Sequence, residues 1–117
     1  MNSVNHQNRN LLRELPTPAY GEVFSELLRH HNLLIERIVS SDRPDPVLYD
    51  QDQDEWVILL EGRATMDISG EVLSLVPGDH IFIPAHTPHR VLSTTPTPRC
   101  VWLAVHLFPD RITSSEL

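Results

Sequence analysis

Apolar residues recur along the chain in two rhythms. From Gly21 to His31, the residues Val23, Phe24, Leu27 and Leu28 fall at helical spacing. Glu22 would lie in the first turn and His30-His31 in the last, where a helix dipole favours a carboxylate and a cation respectively. This spacing predicts one short helix. From Leu33 onward the period shortens. The stretches 33–39, 56–60, 63–68, 71–76, 80–83, 90–93 and 100–107 are β-branched or alternating, and punctuation such as Ser40-Ser41-Asp42, Glu61-Gly62, Ser69-Gly70 and Pro77-Gly78-Asp79 separates them. Short strands at such close spacing predict an all-β sandwich or small barrel, not alternating βαβ units. Residues 1–10 are polar and aperiodic and read as a frayed terminus that includes the isolated His6. The expected division is an N-terminal extension over 1–32, carrying the helix, and a β-barrel over 33–117.

Composition narrows the function classes. The 117 residues are 40% apolar and 21% charged, within the range of a single domain with its own core. All nine cationic residues are Arg, against 16 Asp and Glu, for a net charge of −7. An acidic chain with no basic run argues against nucleic acid and anionic membranes as partners. The single Cys100 excludes a disulfide framework and cysteine-based zinc sites. No apolar run is long enough to span a bilayer, and residues 1–20 lack a signal-peptide core. A soluble, cytoplasmic protein is expected. Seven His residues are left to explain.

Three stretches then converge. EWVILLEG runs from Glu55 to Gly62, VPGDHIFIP follows, and PAHTPHRV comes next. Together they resemble the two-motif signature of the cupin superfamily, in its small single-domain form, over residues 33–107. The flanking NLLRELPTP, IERIVSS, YDQDQDEWV and WLAVH are similar to those of one bacterial cupin subgroup. The resemblance implies a double-stranded β-helix, the jelly-roll barrel, with a pocket inside. It also implies a divalent metal held by two His and one Glu of the first motif and one His of the second. The Glu falls on Glu55 and the second-motif His on His89. The two first-motif His positions fall on Tyr49 and Gln51, or with a longer spacing on Leu48 and Asp50, so this chain has neither histidine.

Strand alternation places Tyr49, Gln51, Gln53 and Glu55 on one face if the segment stays extended, over a floor begun by Val57 and Leu59. An ionised Glu facing a barrel interior needs a metal, an Arg or a hydrogen-bond network. Glu55 and His89 are therefore the leading metal ligands, with Gln51 and His86 as further candidates and Zn, Fe, Mn or Ni as the ion. Tyr49, Gln53 and His106 are candidate substrate contacts. The alternative for Glu55 and His89 is a hydrogen-bonded pair in a metal-free pocket. His80 is expected at a turn, and Arg90 is expected to face away from the pocket. Asp42, Asp45, Asp50, Asp52 and Asp54 read as solvated rim charge. Three functions remain open. One is a metal-binding cupin acting on a small polar substrate by oxygenation, isomerisation or hydrolysis. The others are a metal-free small-ligand-binding module and a homodimer joined through Trp56, Ile58 and Leu60.

Overall fold

The computed structural model describes residues 9–110, so the polar terminus and His6 lie, up to residue 8, outside the described residues. Eight strands follow one another: β1 Glu22–His30, β2 Leu33–Ser40, β3 Asp54–Glu61, β4 Ala64–Ile68, β5 Glu71–Leu75, β6 His80–Ile83, β7 His89–Thr94 and β8 Cys100–Leu107. They form a five-stranded sheet of order β1-β2-β8-β3-β6 and a three-stranded sheet of order β5-β4-β7. Every pairing is antiparallel. This is the all-β jelly roll. The core fills the space between the sheets, with Val57, Leu59, Met66, Ile83, Trp102 and Ala104 all buried in one cluster.

The helix expected over 21–31 is not there; the segment is strand β1, an edge strand paired with β2. The error has a physical source. The β1–β2 register shifts between Glu26 and Leu28, so Leu27 is an extra residue at a bulge. Before the bulge, Glu22 and Phe24 point toward the pocket; after it, Leu28 pairs with Ile35 on the outer face. One inserted residue turned a period of two into a spacing that imitates a helix turn. His31, at positive φ, and Asn32 form a two-residue turn into β2.

Register aligns side chains in rows across the large sheet. Inward rows include Phe24, Ile38, Trp102 and Leu59, and, one step toward the mouth, Glu36, Ala104 and Val57. His106, Glu55 and Ile83 form the row beyond it. On the opposite face, Leu28, Ile35, Val105, Trp56 and Phe82 form an apolar row crossing all five strands, and none of the five is buried. No helix among the described residues is long and apolar enough to cross a membrane.

Candidate functional site

The inward rows end in a cavity of about 70 Å³ between the two sheets. Its polar lining is Glu22 from β1, Glu36 from β2, Tyr49 and Gln51 from the loop before β3, Glu55 from β3, His89 and Arg90 from β7 and His106 from β8. Ile38, Val57, Met66, Ile83 and Trp102 supply the apolar wall. The loop is stitched to the mouth by backbone. Tyr49 N–H donates to His89 O at 2.8 Å, and His89 N–H returns to Tyr49 O at 3.0 Å. His86 N–H donates to Gln51 O at 2.7 Å, and Ala85 N–H to Asp54 Oδ1 at 2.8 Å.

Five of the seven sequence candidates thus share one cavity: Glu55, His89, Gln51, Tyr49 and His106. Two stand apart. His86 does not line the cavity; it is exposed on the rim, with Nδ1 3.3 Å from Asp50 and Nε2 3.7 Å from Asp52. Gln53 also lies outside the lining, because residues 52–53 bend and break the alternation. Its Nε2 instead reaches His106 Nδ1 at 3.3 Å. Arg90, expected to face away, borders the cavity and makes no ion pair among the described residues; its side chain is long enough to reach the mouth from an outward Cα. Glu22 and Glu36 were not anticipated. The alternation in LLIERIVS groups Glu36 with Leu34, Ile38 and Ser40, but only the β2–β8 register shows that this set faces inward.

Two polar clusters share this space. In the first, Gln51 Nε2–H donates to Glu55 Oε1 at 3.0 Å, and His89 Nε2 lies 3.7 Å from the same oxygen. An ionised carboxylate only accepts, which fixes the amide nitrogen of Gln51 toward it. His89 Nδ1–H donates to Thr87 O at 2.8 Å, so in the neutral ring the Nε2 lone pair faces the cavity. Glu55 and His89 are 7% and 5% exposed, so these atoms meet little bulk water. In the second cluster, His106 Nε2 is 2.9 Å from Glu36 Oε1. Burial opposes charge on His106, but the Glu36 hydrogen bond and the charges of Glu55 and Glu36 prevail and raise its pKa.

Glu22 completes the ring of carboxylates. Trp102 Nε1–H donates to Ser40 Oγ at 3.0 Å, and the Ser40 hydroxyl donates to Glu22 Oε2 at 2.7 Å. Burial pushes the Glu22 carboxyl above its ordinary value of 4.5 despite that hydrogen bond, and Glu55, Asp45 and Glu36 push it further. A carboxyl raised on folding favours the native state where it is protonated. Stability is lost as pH rises from about 4.5 through the raised folded value. Thermal unfolding across that window is expected to show Glu22→Gln gaining on the wild type as pH increases; parallel curves would remove Glu22 as the source.

The fold and the pocket together define a cupin, and comparison bears this out. The cupin domain family matches residues 40–106, and the chain belongs to that family. A candidate mannose-6-phosphate isomerase from Ralstonia eutropha JMP134 is similar at 39% identity, over 87% of this chain and 98% of that one, with a TM-score of 0.79. A cupin superfamily protein from Desulfitobacterium hafniense DCB-2 shares 19% identity over 90% of this chain and 94% of its own, with a TM-score of 0.73. Fe(II) HppE shares 21% over 74% of this chain and 50% of its own, with a TM-score of 0.64. The last two show the fold alone. No curated protein matches the chain.

Fe(II) HppE is a barrel of similar fold whose structure contains a metal. The donor set of this chain falls short of a metal site. Among the described residues no three His, Cys, Asp or Glu side chains converge as ligands. Glu55 and His89 make two, where open catalytic sites ordinarily supply three protein ligands. The third place is taken by an amide nitrogen, which donates to Glu55 and cannot bind a cation.

Proposed function

We propose that the protein is a small-molecule-binding cupin whose cavity recognises its ligand through His89, Glu55 and the neighbouring carboxylates, without a resident transition metal. One observation carries this reading: His89 Nε2 and Glu55 Oε1 meet at 3.7 Å with Gln51 Nε2–H, not a third ligating atom, beside them. The Ralstonia relative's name would suggest a phosphosugar for this chain too. Three carboxylates against Arg90 at the mouth oppose a phosphate dianion in this cavity.

A second reading is a divalent Zn, Fe, Mn or Ni ion on Glu55 and His89, which would open the dioxygenase, isomerase and hydrolase classes. The Nδ1–H bond of His89 to Thr87 favours it, because ligating histidines are oriented in this way. The same proposal includes a homodimer, supported by the apolar row Leu28, Ile35, Val105, Trp56 and Phe82 on the outer face. A cytoplasmic setting accords with the single unpaired Cys100.

Native mass spectrometry reads both features at once, on protein purified without added metal and again after Fe, Mn, Ni or Zn salts. The expected species is a dimer with no retained ion. A stoichiometric ion kept by the wild type and lost in Glu55→Ala or His89→Ala would move the assignment to the second reading. A monomer at micromolar concentration would remove the dimer.

A further inference from the structure

We propose that the ligand of the barrel cavity is a small organic cation, an ammonium-bearing molecule held among Glu22, Glu36 and Glu55 against Trp102. This deepens the ligand-pocket reading and rests on it. Carboxylates alone would not carry the assignment; the orientation of His89 beside them does.

Consider what each group offers an incoming molecule. Glu22 meets only the Ser40 hydroxyl and Glu55 the Gln51 amide, both neutral donors, whereas Glu36 has His106. Two of the three carboxylates in the cavity therefore lack a firm cationic partner. His89 is the independent observation. Its side chain is more than nine-tenths buried, its Nδ1–H is committed to Thr87 O, and its Nε2 makes no hydrogen bond among the described residues. The nearest charged atom is Glu55 Oε1 at 3.7 Å, itself an acceptor. A nitrogen lone pair on a buried side chain, opening onto a cavity, is placed to accept from a ligand's donor.

Inside the mouth the free sites are thus mainly carboxylate oxygens and one imidazole lone pair, which are acceptors; the Tyr49 hydroxyl can donate or accept, and Arg90 stands at the mouth as one cation against three carboxylates. An ammonium group carries three donors, no acceptor and a positive charge, which Arg90 alone does not supply for three carboxylates. An anion would bring only acceptors, and an alcohol brings one donor without charge. The Trp102 indole and the Tyr49 ring, the latter stacked 5.7 Å from the His89 ring, line the same space and offer π-faces to a cation. The cavity volume limits the organic part to a few heavy atoms.

The test is a matched titration of the full chain with n-propylammonium, n-propanol and propionate at constant ionic strength and pH. The 15N–1H indole signal of Trp102 serves as reporter. The ammonium is expected to shift it saturably, with the alcohol weaker by about tenfold or more and propionate weaker still. The isosteric variants Glu22→Gln and Glu55→Gln are each expected to weaken the ammonium by about tenfold. If the alcohol or propionate binds as tightly as the ammonium, the cation assignment falls while the ligand pocket stands. If none of the three moves the Trp102 signal, both fall. Ammonium binding unchanged in the two variants would also overturn the assignment, since the contacts would then lie elsewhere.

Discussion

Trp102→Ala is expected to destabilise the protein by about 3–5 kcal/mol, the range for truncating a large buried aromatic. In a domain of this size that corresponds to a Tm lower by roughly 10–25 °C. Trp102 sits on β8, which pairs with both β2 and β3, and its row neighbours are Ile38 and Leu59. The side chain is 2% exposed and also walls the cavity, so truncation would enlarge that cavity and leave Ile38 and Leu59 without their central packing partner. A second cost accompanies the cavity. Ser40, 1% exposed, loses the indole donor that orients its hydroxyl toward Glu22. Trp102→Phe separates the two, keeping most of the ring while removing Nε1–H, and is expected to cost about 1–3 kcal/mol. Chemical denaturation of both variants measures the pair. A loss under about 1 kcal/mol for Trp102→Ala would mean that the core closes over the gap, against the expectation for so central a site.

The same residue shows how far the sequence could be read. Trp102, Ala104 and His106 alternate plainly, so β8 and the inward placement of His106 were legible, as were seven of the eight strands. The edge strand was not. Its bulge at Leu27 disguised the period, and with β1 misread as helix Glu22 had no reason to face the pocket. Glu36 was hidden differently: β2 was recognised, but phasing it needs the β2–β8 register, a long-range fact that no local pattern encodes. At the site, Glu55 and His89 could be named because they fall within recognisable motifs, and they do meet. His86 was drawn in by residue type and proximity in sequence. Its backbone, at φ 59°, turns the ring outward between Asp50 and Asp52. Gln53 was placed by an alternation that the bend at 52–53 ends early.

Gly62→Ala is the other substitution with a large expected effect, about 2–5 kcal/mol, and its origin explains why EWVILLEG is a recognisable unit. That stretch is one strand and its exit. Glu55 stands at the pocket end of β3, opposite His106; Gly62 follows the other end, where the β3–β8 register shifts between Leu59 and Glu61. There the chain must turn into β4 while passing over the start of β8. Gly62 does so at φ +84°, and a Cβ on it would lie 2.8 Å from both Cα and Sγ of Cys100 and 3.0 Å from Arg99 O. The left-handed conformation alone costs a non-glycine residue about 1–2 kcal/mol. The contact with Cys100 adds about 1–3 kcal/mol, because the opposing atoms include backbone and a fully buried side chain that cannot move aside. Two other turn glycines isolate these contributions. Gly70 and Gly78 have φ of +89° and +97°, yet no atom lies within 4 Å of where their Cβ would be. Their Ala variants are expected to lose only the conformational part, about 1–2 kcal/mol. Parallel denaturation of the three variants should therefore place Gly62→Ala well below the others. Equal losses would show that β3 and β8 can part at this end without cost. The spacing from Glu55 to Gly62 would then reflect the turn alone, not the closure of the barrel opposite its cavity.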